Sequence, residues 1–488
     1  MLRYFVLNYR QTQYLESVLE EAKNFDPKLV SFELHDDGSP KQIQDEVAEI
    51  VSRYPGVQAV FHGSNCGVIK MLETCLRASH SNYTYIGGGD DAPCPSAIQN
   101  TLLCCQSGEG TPVMVSDFYI VHAEKRASVY VEAILPTQWM TGDKVPPKEL
   151  KKSLKQKGEA AYIATHACLA PTKALLSAGG FSERMRWHCD WFSFHVAALR
   201  NGIQYFPTPL ACWRQSPAGY SHSSRSGSKQ QRDVLREILS TLKKPEYSDV
   251  RETILCPNMT PMMDDIARQT LLAILSKSKY WGFLRWGHFR NALQEIAASW
   301  ISQARWGGKI LEWLDESILA RPLQFLRQPL IRVLLRLGGA RVGRKVYFGR
   351  KIKIRDPRGL NVGDHVTIGD GVSICAGHPL HIGSGVGIGD NVRLESVNFS
   401  KESAVRFLRK KSVTIGEDVI IGEDCTIGPG AHIPSCERVS PRMCVENVES
   451  TPLFFLDDTD QIRLDHKVLR EWYGLDPKGA LSGAMRRR

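Results

Sequence analysis

Five aspartates in the N-terminal half stand where carboxylates can do chemistry: Asp36, Asp37, Asp90, Asp91 and Asp190. Residues 30–39 read V-S-F-E-L-H-D-D-G-S, a β-type run that ends in two acids, Gly38 and Ser39. The tetrapeptide suits a plain Asp-Gly turn. At the carboxyl end of a parallel strand, the same acids can accept hydrogen bonds from a nucleotide base or ribose. A second run, Tyr83 to Ile86, ends in Gly87-Gly88-Gly89-Asp90-Asp91, with Pro95 close behind. Adjacent carboxylates repel unless something positive lies between them. A hard divalent cation, Mn²⁺ or Mg²⁺, bridging to a diphosphate meets that need; a solvated acidic turn is the alternative. Asp190 lies in Trp187-His-Cys-Asp190-Trp191, after Gly179-Gly-Phe-Ser-Glu183. An acid among aromatic rings is partly desolvated and more basic, which suits a general base toward an acceptor hydroxyl. A helix N-cap is the other use of such an Asp.

The elements that must position these acids alternate in type. Strand runs at Tyr4–Leu7, Leu29–Leu34 and Ala59–His62 are separated by helix patterns at Tyr14–Lys23, Ile43–Arg53 and Val68–Ala78. Such alternation predicts parallel strands joined by crossover helices, an α/β domain over residues 1–225.

Taken together and in order, these motifs resemble the family 2 inverting glycosyltransferases, which have a GT-A type nucleotide-binding fold. Tyr9 and Tyr14-Leu15 match the opening strand and helix, and Asp36-Asp37-Gly38-Ser39 the donor-base motif. Asn65-x-Gly67 matches the next strand–helix turn, Asp90-Asp91 with Pro95 the metal motif, Gly179-Gly180-Phe181 the acceptor-side motif and Asp190 the base. The resemblance implies that Asp36 or Asp37 contacts the base of a UDP-type donor, with Asn65 nearby. It implies that Asp90 and Asp91 hold ribose and metal, and that Asp190 deprotonates a glycan or polyprenyl-linked acceptor. Trp213-Arg214 and Ser221-His222-Ser223 fall where the family places a mobile loop near the pyrophosphate. Arg214 and His222 are therefore further candidates, the latter as a metal ligand. Gly88, Cys189 and Arg10 depart from the family pattern, which has Asp, an acid and Asn there.

The last third changes period. Val342-Gly-Arg-Lys-Val-Tyr, Ile368-Gly-Asp-Gly-Val-Ser, Ile388-Gly-Asp-Asn-Val-Arg and Ile421-Gly-Glu-Asp-Cys-Thr exemplify a six-residue repeat over residues 341–450. An inward aliphatic residue, a corner Gly and a β-branched residue predict stacked triangular coils, three hexads each, forming an all-β left-handed parallel β-helix. Asn398 to Lys411 interrupts the repeat and is expected to protrude as a loop. Prisms of this kind resemble trimeric acyltransferases that bind acetyl-CoA. Within Val372-Ser-Ile-Cys-Ala-Gly-His378-Pro379, His378 is then the candidate base of a sugar O-acyltransferase. A homotrimerising scaffold without chemistry is the other reading.

Between these domains, residues 226–340 read as helical, and 451–488 as a helical tail. Residues 271–340 hold Trp281, Trp286, Trp300, Trp306 and Trp313, with ten Lys or Arg against four acids. Basic Trp-rich helices suit a membrane surface; an interdomain bundle with the tryptophans as core is the alternative. The 488-residue chain carries a formal charge of +10 and 42% hydrophobic residues, the composition of a globular protein. It contains no run of about 18 apolar residues, and no recognisable nucleic-acid module. Thirteen irregularly spaced cysteines and the absence of a signal-peptide pattern lead us to expect a cytoplasmic protein, peripheral on the inner face of the cell membrane.

Overall fold

The computed structural model describes residues 1–104, 111–122, 127–131, 144–155, 163–215, 228–255, 327–399, 406–446, 453–456 and 461–473. His222 and the five tryptophans from Trp281 to Trp313 lie outside them. The chain divides into two compact units, Met1–Arg285 with Thr451–Arg488, and Trp286–Ser450.

In the first unit, the strands at Leu2–Asn8, Val30–Asp36 and Tyr83–Gly88 are buried along most of their length, as central parallel strands require, whereas Gln58–Phe61 at the sheet edge is largely exposed. β1 (Leu2–Asn8), α1 (Leu15–Ala22), β2 (Val30–Asp36), α2 (Lys41–Ser52), β3 (Gln58–Phe61), α3 (Val68–Arg77) and β4 (Tyr83–Gly88) follow in order. After them come β5 (Ala92–Pro93), α4 (Pro95–Leu103), β6 (Val113–Ser116), β7 (Phe118–His122), β8 (Ala127–Val131), β9 (Lys144–Val145) and α5 (Pro147–Lys155). β10 (Cys168–Pro171), α6 (Thr172–Ser177), α7 (Cys189–Asn201), β11 (Ile203–Phe206), β12 (Ala211–Gln215), α8 (Ser228–Lys243) and α9 (Ser248–Ile254) complete the series.

The main sheet has the order β3-β2-β1-β4-β10-β6-β11-β9. β1 to β4 are mutually parallel, and β10 runs against both β4 and β6. The register sets Asn8 opposite Asp36 and Leu7 opposite Gly88, so β1, β2 and β4 end level with one another. In the same unit a smaller sheet orders its strands β8-β7-β12-β5. Helices α7, α8 and α9 bury Phe192, Phe194, Leu235, Leu239 and Val250 in one core with β6 and β11.

The chain returns to this unit at its C-terminus. Phe454–Leu456 pairs antiparallel with Ile462–Leu464, and a helix, His466–Tyr473, follows. Asp465 caps that helix by accepting from the Lys467 and Val468 N–H groups. The hairpin packs on α1, β5, β7 and β8.

In the second unit the chain visits three parallel five-stranded sheets in rotation, adding one strand to each per circuit. Inward Val342, Phe348, Val362, Ile368, Ile382 and Ile388 stack into one core. The early circuits are longer than three hexads. Val342 pairs with Val362 and Val362 with Ile382, a step of 20 residues, whereas Ile415 pairs with Ile433, a step of 18. The extra residues widen the third corner, at Pro357–Gly359 and again around His378. Corner aspartates lock the register: Asp370 Oδ1 accepts from the Arg350 N–H, and Asp390 Oδ1 from the Asp370 N–H, both at 2.7 Å. The interruption after Asn398 closes as a hairpin, Val397–Phe399 against Arg406–Lys410. Arg327–Leu337 is a helix that caps the first circuit. Arg327 donates to the Phe348 and Gly349 carbonyls, Gln328 both donates to and accepts from Phe348, and Ile331 and Leu335 enter the core. An open edge of backbone groups is thereby satisfied.

Candidate functional site

Strand order reverses at β1, with β2 on one side and β4 on the other. A crevice at the carboxyl ends of such strands is where open α/β sheets take ligands. Asn8, Asp36 and Gly88 are the residues that end there.

Asp36 and Asp37 are both buried and both engaged by the protein. Asp36 accepts from the Ser39 N–H (2.8 Å) and hydroxyl (2.7 Å), from Asn8 Nδ2 (3.0 Å) and from Gln44 Nε2 (3.3 Å). Asp37 accepts from the N–H groups of Cys66 (2.8 Å) and Gly67 (2.9 Å), just ahead of α3. These are the orphan donors of a helix start, where a carboxylate is favoured. Gly38 makes the arrangement feasible: its φ is +67°, and a Cβ there would lie 2.2 Å from the Ser64 carbonyl carbon. The Asp-Asp-Gly-Ser turn thus clamps the loop that carries Asn65, whose side chain is exposed.

Asp90 and Asp91 close the other side. Asp91 Oδ1 accepts from the Arg214 N–H (3.1 Å) and Oδ2 from the Gly88 N–H (3.1 Å). Burial, then the charge of Asp90, push Asp91 from its ordinary 3.8 up to about 7. Burial also raises Asp90, with Arg214 opposing. Arg214 on β12 is buried, and its guanidinium lies over the ring of Tyr14, at the start of α1. Two carboxylates and one cation therefore share a desolvated corner.

Among the described residues no group of three or more His, Cys, Asp or Glu is placed to hold a metal. The donor set still fits a hard cation in part. Asp90 and Asp91 offer two carboxylates, both raised by burial and Asp91 also by the charge of Asp90, and Mg²⁺-like ions take one or two carboxylates with the rest from phosphate and water.

Asp190 sits in the first turn of α7, half-buried. Its Oδ1 accepts from the Trp191 N–H (2.7 Å) and its Oδ2 from the Thr165 hydroxyl (2.8 Å). Four residues upstream Arg186 is held at φ +45°, ψ −128°, a non-glycine strain of the kind that costs about 1–3 kcal/mol. Thr165 belongs to the one-turn 3₁₀ helix Thr165–Ala167, which packs against β4, β12 and α7. These three elements carry or adjoin Asp90 and Asp91, Arg214 and Asp190. Within that turn His166 lies against the rings of Phe118 and Trp213, and burial pushes it down to about 4, so it is neutral. Asn8, Thr165 and His166 are not marked by the sequence motifs, and Tyr14 is marked only as part of the opening helix, not as the partner of Arg214. Asn8 was findable as the last residue of β1; Thr165 had no signal, lying 25 residues from Asp190.

His378 is buried in the widened corner of the second unit. Its N–H donates to Ser396 Oγ (3.0 Å), and Ser396 donates back to the His378 carbonyl (2.7 Å). A groove of about 440 Å³ on this unit is lined by Arg341, Asn361 and His381, among others, and not by His378.

No protein-family model and no curated protein matches the chain. Among solved structures it is similar to residues 1–349 of TarS from S. aureus, at 12% identity over 68% of this chain and 88% of that one, TM-score 0.37. The same protein in complex with UDP-GlcNAc gives 12% identity, the same coverage and a TM-score of 0.38. A mannosyltransferase from Pyrobaculum calidifontis, PcManGT, in complex with GDP-Man and Mn²⁺, gives 12% identity over 69% and 86%, TM-score 0.38. Likenesses with TM-scores below 0.5 decide nothing about chemistry, which rests on the site.

Proposed function

We propose that the first unit is a GT-A type glycosyltransferase that moves a sugar from a nucleotide-diphosphate donor to an acceptor hydroxyl with inversion. The observation that carries the proposal is the corner of Asp90, Asp91 and Arg214 beside the β1–β4 switch point. An adjacent pair of acids raised by burial, Asp91 also by the charge of Asp90, is poised to receive compensating positive charge. Mn²⁺ or Mg²⁺, when bound, supplies that charge and neutralises the diphosphate that leaves. Asp90 and Asp91 hold the cation and the ribose, and the clamp built by Asp36, Asp37 and the Asn65 loop shapes the nucleoside side. Asp190 accepts the acceptor's proton, its carboxylate oriented by Thr165 and the Trp191 N–H. A UDP-type donor and a glycan or polyprenyl-linked acceptor, in cell-surface polysaccharide synthesis, complete the proposal. A thermal-shift screen of UDP, GDP, CDP and ADP with and without Mn²⁺ tests it, because a ligand of the native state alone raises apparent stability. Metal-dependent stabilisation by one diphosphate is expected; none with any of the four rejects the donor site.

We further propose that the second unit is a left-handed β-helix that assembles the protein as a homotrimer. The burial of His378 and its locked backbone support this over acetyl-CoA chemistry at that residue. Among the described residues no helix is long and apolar enough to cross a membrane. Peripheral attachment to the cytoplasmic face through residues 271–340 is proposed from the Trp and Arg composition alone. Salt-sensitive binding to anionic vesicles tests it.

A further inference from the structure

The C-terminal segment lies far in sequence from the candidate donor site, yet it packs against the strands that build it. Leu453, Phe454 and Leu469 are fully buried, and Ile462, Leu464 and Val468 nearly so. The Leu453 N–H donates to the Tyr119 hydroxyl (3.2 Å), and the Phe454 ring meets the Tyr119 ring edge-on at 5.5 Å. Tyr119 on β7 is opposite Cys212 on β12, and Cys212 is opposite Ala92 on β5. One residue before Ala92 is Asp91, and two after Cys212 is Arg214, whose N–H holds the Asp91 carboxylate. A second path runs through the turn that precedes α1. Gln461 Nε2 donates to the Gln13 carbonyl (2.9 Å), and Gln13 precedes Tyr14, the ring under the Arg214 guanidinium.

We infer that residues 453–456 and 461–473 position the donor site, with Phe454 acting through Tyr119 on the Asp91–Arg214 pair and Gln461 acting through Gln13 on Tyr14. The inference rests on the donor-site proposal for its consequence, but its mechanical claim stands apart. Packed side chains and paired strands transmit displacement because close-packed interiors deform little. A segment that only closed an exposed sheet face would add stability without setting the order of β5 and β12.

Hydrogen exchange and UDP·Mn²⁺ titration on the full chain separate these cases. In Phe454→Ala, peptides covering 88–95 and 208–215 are expected to exchange faster, while peptides covering 360–395 in the second unit keep their rates. UDP·Mn²⁺ affinity is expected to fall roughly tenfold, within the range of coupling through packed networks. Phe454→Leu, which keeps most of the volume, should restore both. Gln461→Ala provides a milder test through the second path, useful if Phe454→Ala fails to fold, and should weaken UDP·Mn²⁺ binding and loosen residues 11–16. Normal exchange at 88–95 and 208–215 in Phe454→Ala, or in Gln461→Ala normal exchange at 11–16, overturns the inference. If the parent protein binds no UDP·Mn²⁺, the donor proposal fails in its UDP form, and the exchange result still decides whether the segment orders β5 and β12.

Discussion

The guanidinium carbon of Arg214 lies 3.7 Å from the centroid of the Tyr14 ring, while the backbone N–H of the same arginine holds the carboxylate of Asp91. One residue thus ties the first helix to the acid pair at the end of β4. A cation–π contact of this kind is worth about 0.5–2 kcal/mol. Tyr14→Leu should therefore weaken UDP·Mn²⁺ binding several-fold and leave the fold intact, whereas Tyr14→Phe should behave like the parent. Equal losses in both variants, by titration calorimetry, would assign the effect to the hydroxyl and not to the ring.

Asp90→Ala and Asp91→Ala should each abolish the metal-dependent part of nucleotide diphosphate binding. The melting temperature should hold in Asp90→Ala, which removes a repelling, desolvated charge, and should fall in Asp91→Ala, which leaves the Arg214 and Gly88 N–H groups without their acceptor. A variant that binds UDP equally with and without Mn²⁺ while the parent discriminates is the expected result. Retained discrimination in both variants would place the metal elsewhere.

Asp190→Asn should lower turnover by roughly 10²-fold or more and leave donor affinity unchanged, since a base acts on the acceptor proton in the transition state. Thr165→Val should lower turnover by a smaller factor, and Thr165→Ser should retain it because the hydroxyl remains. Steady-state kinetics on all three, with donor affinity measured separately, decide the assignment. Near-normal turnover in Asp190→Asn removes Asp190 from the chemistry.

Glu21 gives the first unit a pH dependence. Burial, helped by Glu20, lifts it from 4.5 to about 7, against the pull of Arg463, Lys23 and the Leu464 N–H. His466 Nε2 lies 3.9 Å away. The native protein therefore keeps a proton that the unfolded chain has already lost. The stability from this protonated carboxyl is complete below about pH 4.5 and is lost as pH rises through about 7. Glu21→Gln should raise the melting temperature at pH 8 and leave it unchanged at pH 4.5. A gain of the same size at both pH values would show that the proton is not the cause.

Arg327 and Gln328 close the first circuit of the second unit with hydrogen bonds to Phe348 and Gly349. Hydrogen bonds to a charged group contribute about 1.5–3 kcal/mol each. A fragment of residues 327–450 should melt well above one of residues 341–450, and should sediment as a trimer. Equal melting temperatures would make the cap dispensable, and a monomer at micromolar concentration would refute the assembly proposal.

Local pattern was enough for many of the elements, though not for residues 451–488, which read as a helical tail and instead open with the strand pair Phe454–Leu456 and Ile462–Leu464 before the helix His466–Tyr473. The strand at Tyr83, the helix from Val68 and the hexads from Val342 onward are set by which neighbours are apolar and at what period, and each emerged within a few residues of its expected bounds. The clustering of Asp90 and Asp91 was equally visible, because adjacent residues need no fold to meet. Tertiary structure alone decided the rest. Thr165 reaches Asp190 because the 3₁₀ turn Thr165–Ala167 packs against α7, Tyr14 reaches Arg214 across two hundred residues, and Asp36 and Asp37 turn inward to the protein's own donors. The return of Phe454 to Tyr119, after an entire second unit, left no trace in the local pattern. The 20-residue circuits follow from corner residues that a six-residue count skips. Periodicity reports on which side of an element is buried; strand order and register determine what that side meets, and those are properties of contacts between distant segments.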